Sequence, residues 1–264
     1  TGISLAYAFP GVLEGLSIGV NRTMLSKWDD KNTYSLFEVF VPGLGRSGGK
    51  DENDQRFSMT FDYNLKSVGF DIYLEWARND YTPTMKRILR YPFHTEGWTF
   101  GARKNLDLPL GFKGQLKLEI THLESSRDYE LLWATTFYAH HIISQGYTNK
   151  GQWLGAGIGT GGNSQYLGLD IYGSRSKTNI FIQRINPDLD YTWFIDKYKD
   201  AREAELNIRA NIDFGISSTQ FVNSDLSITA AYVFDYQFNH TNCTKNENDN
   251  LINHSISFSM KYNF

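Results

Sequence analysis

The sequence predicts an all-β fold, an antiparallel transmembrane β-barrel of the outer-membrane type. Residues 252–264 alternate large apolar or aromatic side chains with polar ones from Ile256 onward, and they end on Phe264. About eleven segments share this period of two, which gives a strand one apolar and one polar face. Their connections alternate between short and long, as in outer-membrane barrels. An edge strand of a soluble sandwich is the alternative for the last segment, but a sandwich is not expected to sort its loops by length.

The predicted strands cover most of the chain outside a few long connections. They run over residues 2–8, 13–21, 57–66, 69–78, 95–106, 113–123, 164–173, 178–187, 202–213, 224–238 and 252–264. The segment 178–187 alternates least clearly, and 215–223 is predicted to be a turn. The first and last strands of a closed antiparallel barrel run in opposite directions, so an odd count predicts further strands before Thr1. Residues 1–264 are therefore expected to form one barrel domain that lacks its N-terminal strands.

Composition narrows the class of protein. Aromatic residues make up 15% of the chain, and the aromatic girdles of a barrel account for such an excess. No run of roughly 18 apolar residues is present, so no transmembrane helix is predicted. The net charge of −3 provides no field for nucleic acid. The single Cys243 forms no disulfide within the chain.

The polar faces of the predicted strands carry charges of both signs. A barrel places such residues in its lumen, where they are paired or hydrated. We expect them to be structural rather than catalytic. The predicted lumen-lining residues are Asp62, Lys66, Asp71, Glu75, Arg103, Lys117, Glu119, Glu205 and Arg209.

The segment 124–163 is the least strand-like part of the chain. Gly157, Gly159 and Gly162 match the spacing of a dinucleotide-binding fingerprint. That fingerprint requires a preceding strand and a following helix, and neither is predicted here. The glycines are better explained by a long loop that folds tightly into or over the lumen on the outer side.

Acidic residues in two loops raise the question of a metal site. Asp51, Glu52 and Asp54 form one group, and Asp188 and Asp190 form another. Such oxygens suit calcium, but solvated loop acids are the favoured interpretation. No nucleophile elbow, zinc spacing or catalytic triad stands out. We therefore predict no metal, no cofactor and no enzyme, although a triad assembled from distant residues stays open.

The same long segment interleaves aromatic rings with amide and guanidinium side chains. Sugars offer apolar faces for stacking and hydroxyls for hydrogen bonding, so this mixture suits a glycan. Rings would stack, the arginine would pair with a uronate, and the amides would bind hydroxyls or fix the loop. The alternative is that the rings only pack the loop. The predicted glycan-binding residues are Arg127, Trp133, Tyr138, Tyr147, Gln152, Trp153, Asn163 and Gln165.

Three short stretches resemble the capsule assembly Wzi family. They are residues 145–152 (QGYTNKGQ), the glycine-rich run 154–165, and residues 71–80 (DIYLEWARND). The similarity spans about residues 55–195 and the C-terminal strand. It implies an outer-membrane barrel of about eighteen strands, which holds capsular polysaccharide or exopolysaccharide at the cell surface. This chain would supply the C-terminal part of such a barrel.

The predicted function is therefore binding or organising surface polysaccharide in the outer membrane of a Gram-negative-type bacterium, without catalysis. Expected partners are outer-membrane lipid and lipopolysaccharide, surface polysaccharide and other outer-membrane proteins, but not nucleic acid. A porin or saccharide channel is the first alternative. A barrel enzyme acting on lipid or glycan and a structural subunit of a larger assembly are the others, since fold alone does not fix function.

Overall fold

The computed structural model describes residues 2–26, 53–79, 89–90, 93–125, 136–140, 143–190, 192, 208–241 and 249–263. Eleven strands form one antiparallel sheet in which neighbours along the chain pair with each other. They are β1 (Gly2–Ala8), β2 (Leu16–Ser26), β3 (Asn53–Leu65), β4 (Phe70–Asn79), β5 (Glu96–Asp107), β6 (Lys113–His122), β9 (Asn163–Tyr172), β10 (Ser176–Asn186), β11 (Ala210–Phe221), β12 (Leu226–Phe238) and β13 (Leu251–Tyr262). A separate hairpin consists of β7 (Thr148–Asn149) and β8 (Gln152–Trp153).

The pairing register gives the sheet an inner and an outer face. Asp62 pairs with Tyr73, Tyr73 with Gly101, Gly101 with Glu119, and Glu119 with Tyr166. We call the face that bears this row the inner face. Neighbouring positions on each strand point the other way. The polar rows identified in the sequence therefore lie together on one side of the sheet.

The outer face is apolar and uncovered by the described residues. Cross-strand pairs along it include large side chains that a water-soluble protein would bury. A barrel turns this face to lipid. Exposed members of the outer rows include Leu5, Ile18, Val20, Met59, Phe61, Leu74, Leu116, Leu118, Leu167, Ile180, Ile182, Phe214, Ile216, Tyr232, Ile256, Phe258 and Met260.

Connections separate by length between the two ends of the sheet. At one end the strands are joined by short turns, three of which are 3₁₀ turns: Gly11–Leu13, Lys66–Val68 and Pro109–Gly111. Because successive strands are antiparallel, the connections 27–52, 80–95, 123–162, 187–209 and 239–250 all fall at the other end. β6 pairs directly with β9 across the longest insertion, 123–162. No helix in the described part of the chain is long and apolar enough to cross a membrane.

The predicted fold class is confirmed, and most predicted strands overlap observed ones. The predicted strand 202–213 is wrong in its bounds, because β11 runs from Ala210 to Phe221. The predicted turn 215–223 is also wrong in its first part, because residues 215–221 belong to β11. A Cβ on Gly215 would meet the ring of Phe181 at 2.1 Å. The glycine therefore makes room for a cross-strand aromatic ring.

Two other predicted strands differ from the observed ones in their alternation or in their first residue. β10 alternates poorly because Phe181 lies on the inner face while Arg184 lies on the outer face. The second strand begins at Leu16 rather than residue 13, because Gly11–Leu13 forms a turn. In the described residues β1 and β13 each pair with one neighbour. Additional strands before Thr1 and the single-domain boundary stay predictions.

Candidate functional site

Part of the longest insertion packs against the inner face of the sheet. We call its described residues, 136–140 and 143–162, the plug. Its Phe137, Tyr138 and Ile158 are buried in one cluster with Leu123, which follows β6. Apolar residues of β4 and β10 complete this cluster. The plug is thus held by a small hydrophobic core of its own inside the sheet.

Small residues on the inner face provide the space that the plug occupies. Ser58 pairs with Ala77, and Ala77 pairs with Gly97. A Cβ on Gly97 would meet Leu123 Cδ2 at 2.7 Å and Phe137 Cε2 at 2.9 Å. Such approaches are shorter than packed carbon atoms allow. Glycine at this position is therefore needed for the plug to reach the sheet.

Arg56 of β3 joins the sheet to two rings of the plug. Its guanidinium carbon lies 3.9 Å from the ring centroid of Tyr147 and 5.2 Å from that of Tyr138. It also donates to Asp54 Oδ2 at 2.8 Å, and both members of this ion pair are buried. A desolvated cation held against aromatic faces is a favourable contact. Arg56 therefore stabilises the docked plug.

Hydrogen bonds from the two tyrosines fix the plug further. The Tyr147 hydroxyl donates to Thr23 Oγ1 of β2 at 3.0 Å. The Tyr138 hydroxyl accepts from the backbone N–H of Ala156 at 3.0 Å. The two rings stack with centroids 5.6 Å apart. Tyr138 is buried and makes all of these contacts, so its ring packs the plug.

Two acids after β10 hold the glycine-rich end of the plug. Asp188 Oδ1 accepts from the Thr160 N–H at 3.1 Å and from its hydroxyl at 2.5 Å. Asp190 donates its backbone N–H to the Gly161 carbonyl of the plug at 3.2 Å. Its Oδ2 accepts from the Ser125 N–H at 2.8 Å and from the Ser125 hydroxyl at 2.9 Å. Burial raises the pKa of Asp190 to about 7. The interpretation of Asp188 and Asp190 as solvated loop acids is therefore wrong.

Neither acidic loop gains support as a metal site. No group of three or more metal-ligating side chains is gathered among the described residues. Asp54 is bound to Arg56, while Asp51 and Glu52 lie outside the described residues.

A cavity of about 450 Å³ lies between the plug and the inner face of β2–β6. Its wall is polar on the sheet side and partly aromatic on the plug side. Hydroxyl, amide and carboxylate groups of the sheet therefore face the same space as the plug rings. The residues that carry its chemistry are Asn21, Thr23, Arg56, Glu75, Thr99, Glu119, Thr121, Tyr138 and Tyr147.

The ring of Tyr73, which lies two residues before Glu75 on β4, extends across the inner face of the sheet. A Cβ on Gly101 would meet Tyr73 Cζ at 1.9 Å, so the ring lies flat over the glycine. The Tyr73 hydroxyl donates to Glu119 Oε2 at 2.5 Å. Arg103 lies over the same ring at 5.1 Å and donates to Asp71 at 2.7 Å. This network fixes the orientation of Glu119 beside the cavity.

The predicted lumen-lining residues are distributed as follows. Six of them lie on inner rows of the sheet, and two of these six, Glu75 and Glu119, line the cavity. Lys66 lies in a turn and pairs with Glu14 at 2.9 Å. Arg209 immediately precedes β11, and Glu205 lies outside the described residues. The inner-row residues are Asp62, Asp71, Glu75, Arg103, Lys117 and Glu119.

The predicted glycan-binding residues are not all brought together. Tyr138 and Tyr147 border the cavity, and Gln152 and Trp153 lie on the exposed β7–β8 hairpin. The Trp153 ring lies 6.1 Å from that of Tyr138. Arg127 and Trp133 lie outside the described residues.

Asn163 and Gln165 lie on the outer face, away from the cavity. They pair across to Asn186 and Arg184, and Arg184 donates to Asn163 Oδ1 at 2.7 Å and to Gln165 Oε1 at 2.9 Å. The alternation of side chains predicts this position, because Asn163, Gln165 and Leu167 are alternate residues of β9 and therefore lie on the same face. Sequence reasoning also missed Arg56, whose place in the polar row of β3 was the available signal.

The fold and the plugged inner wall define a class, the antiparallel outer-membrane-type β-barrel with a segment folded against its inside. The chain is similar to the solved structure of Wzi, described as an outer membrane protein involved in group 1 capsule assembly in Escherichia coli and as a carbohydrate-binding β-barrel. The TM-score is 0.62 at 12% identity, over 93% of this chain and 47% of that one. The chain thus spans about half the length of Wzi, and the likeness shows the fold. No family model and no curated protein matches.

Proposed function

We propose that this protein is an outer-membrane barrel that binds or organises surface polysaccharide without catalysing a reaction. The observation that carries the proposal is the cavity between the plug and β2–β6. A volume of about 450 Å³ is within the range of small-molecule sites. The carbohydrate-binding description of Wzi adds support, and so do the three stretches that resemble its family.

The lining of the cavity suits a sugar chemically. Thr23, Thr99 and Thr121 line it with hydroxyls, and Asn21 lines it with a planar amide. Thr23 already accepts from Tyr147, and Thr99 bonds Thr121, but a hydroxyl oxygen can accept a second hydrogen bond. Trp153 stands exposed on the plug beside Tyr138, where its ring can stack on an apolar sugar face. Such a site would hold a glycan segment by many modest contacts rather than by one strong one.

The apolar outer rows support residence in a bilayer, with outer-membrane lipid and lipopolysaccharide as the surrounding partners. Polysaccharide would reach the cavity from the end of the sheet that bears the long connections. In the capsule setting suggested by Wzi, the protein would retain polymer at the cell surface. Contacts with other outer-membrane proteins belong to the same proposal.

Glycan retention tests the proposal directly. Cells carrying Trp153→Ala should retain less labelled surface polysaccharide, by roughly 1–3 kcal/mol in binding if stacking matches the scale of base–aromatic pairs. Trp76→Ala is the matched control, because Trp76 lies on an outer row, pairs across to Met59 and does not line the cavity. Assembly of each variant is checked by heat-shifted gel mobility. Equal retention by the parent and Trp153→Ala, or no retention by the parent, would contradict the proposal.

A saccharide or ion channel is the second candidate. The inner face of β10–β12 favours it, because polar residues such as Asn179, Ser217 and Thr229 line it. Ion conductance of the purified protein in planar bilayers separates the two functions. A closed parent that binds polysaccharide supports the first, and a conducting parent that does not bind it supports the second.

A further inference from the structure

The charge presented by the cavity indicates which glycan it would select. Three charged side chains line it: Arg56, Glu75 and Glu119. Two are acids and one is a base. The question is which of these charges a ligand can reach.

Arg56 does not offer its charge to the cavity. Its side chain is only 7% exposed, and its carboxylate partner Asp54 is fully buried. The rings of Tyr147 and Tyr138 cover the guanidinium on the plug side. Its Nε and Nη1 atoms are buried as well, without a hydrogen-bond partner among the described residues. A buried pair of opposite charges presents little net field, so Arg56 adds little attraction for an acidic ligand.

Glu75, in contrast to Arg56, presents its charge to the cavity. It lies midway along β4, it is exposed, and it lines the cavity. Among the described residues, no hydrogen bond or ion pair to its carboxylate is found, although its negative charge is felt by the Tyr138 hydroxyl. Its cross-strand neighbours are Thr60 and Thr99, which are neutral. An incoming group therefore meets an uncompensated carboxylate.

The neighbouring cations of the inner face already form ion pairs with acidic residues of the sheet. Arg103 pairs with Asp71 at 2.7 Å and lies 4.0 Å from Asp62. Lys117 pairs with Asp170 at 2.6 Å. The described surroundings of the cavity therefore leave Glu75 and Glu119 as its accessible charges.

We propose that the cavity binds a saccharide segment that carries a free ammonium group, and that it disfavours uronate and phosphate groups. The ammonium would pair with Glu75, while hydroxyls of the same segment bond the threonines. This inference rests on the proposed polysaccharide-binding function. It departs from the sequence-based expectation that an arginine, Arg127, would pair with a uronate.

The test compares three oligosaccharides of equal length on the detergent-solubilised protein by calorimetry. They are a glucosamine oligomer with protonated amines, its N-acetylated neutral form, and an oligogalacturonate. We expect the amine form to bind at least tenfold more tightly than the neutral form, and the acidic form to bind most weakly. Tighter binding of the oligogalacturonate than of the neutral form would overturn the inference.

Glu75→Gln keeps the shape of the side chain and removes its charge. The variant should bind the amine form no more tightly than the neutral form. Glu14→Gln is the control for general electrostatics, because Glu14 lies in a turn and pairs with Lys66. A preference for the amine form that survives Glu75→Gln would contradict the inference.

Two further outcomes distinguish a failure of the ammonium preference from a failure of polysaccharide binding itself. Neutral and amine oligomers that bind equally to the parent would overturn this inference and leave polysaccharide binding in place. No binding of any oligomer would overturn both. Spermidine supplies the ammonium without the sugar, so spermidine bound as tightly as the glucosamine oligomer would overturn the saccharide part of the inference.

Discussion

The sheet has two inner walls that are built differently. The first, which we call the plugged wall, is the inner face of β2–β6 and is covered by the plug. The second, the open wall, is the inner face of β10–β13 apart from Ile185, which packs against the plug. Buried polar residues such as Asp54, Asn79 and Thr121 occur on the first wall, whereas no described residue of β12 is buried. Both walls follow the same alternation of side chains.

The difference lies in how each wall fills the space beside it. On the plugged wall Ser58, Ala77 and Gly97 leave room, which a separate segment then occupies. On the open wall the ring of Phe181 covers Gly215, as the ring of Tyr73 covers Gly101 in another part of the plugged wall. Alternation therefore determines which residues face inward, and the size of those residues determines whether another segment can dock. A cavity forms where docking is incomplete.

The largest expected effect tests whether the two walls share one lipid-facing surface. Leu74 behind the plugged wall and Ile216 behind the open wall are 41% and 45% exposed. Leu74→Arg and Ile216→Arg should each destabilise the barrel by about 2–4 kcal/mol if both lie near the bilayer midplane. Unfolding by denaturant in lipid vesicles measures this. Ser217→Arg on an inner row is the control, and a cost for Ser217→Arg equal to that of Ile216→Arg would show that the faces are misassigned.

The second-largest effect is expected where the plug docks over Gly97. Gly97→Ala should weaken plug docking by about 1–3 kcal/mol, the usual cost of overpacking, because the new methyl meets Leu123 and Phe137. Limited proteolysis of the plug reports the loss of docking. Gly157→Ala is the matched control, since nothing lies within 4 Å of a Cβ there. Equal cleavage of the two variants would mean that the small residues of the plugged wall do not position the plug.

Plug docking should also depend on pH through Asp190. Its pKa is raised to about 7 by burial, above the value near 3.9 of an unfolded aspartate. The folded form therefore holds more protons between these pH values, so the plug is most stable at acid pH and loses stability as the pH rises to 7. From pH 5 to pH 8, the free energy that protects the plug amides from hydrogen exchange should fall by on the order of 1–3 kcal/mol. Exchange should therefore accelerate by more than the intrinsic effect of pH. Asp190→Asn should abolish this change, and an unchanged pH response would rule out Asp190 as its source.

The smallest effect is expected on the open wall. Asp213 and Asp235 lie directly opposite each other on β11 and β12, and like charges so placed are destabilising. Asp213→Asn should raise the free energy of unfolding by up to about 1 kcal/mol. Asp213 is the position to change, because Asp235 accepts a hydrogen bond from Gln237. Thr229→Val on the same wall is a control without charge, and a loss of stability in Asp213→Asn would show that the pair is not repulsive.

The sequence allowed the sheet to be predicted better than the site. Strict alternation in β3 and β4 specified their inner and outer rows, because burial and lipid exposure act on every second residue. The bounds predicted for β11 are wrong, because nothing in the local sequence shows that Gly215 lies opposite Phe181 within a strand. No local pattern encodes the contact between Arg56 and Tyr147, which are far apart in the chain. Asn163 was assigned by its amide chemistry, although its parity places it on the outer face.

The direct pairing of β6 with β9 has a consequence for assembly. The other strand pairs on each side of this junction join neighbours along the chain, but this pair must first gather the residues 123–162. Loop-closure entropy grows slowly with length, by about 0.6 kcal/mol per doubling, so equilibrium stability tolerates the insertion. Folding rate is more sensitive, because contacts distant in sequence form slowly. We expect a plug already docked on β2–β6 to bring β9 beside β6 and to act as a template for this pairing. Gly97→Ala should therefore slow the appearance of the heat-resistant form, and an unchanged rate would show that the junction closes before the plug docks.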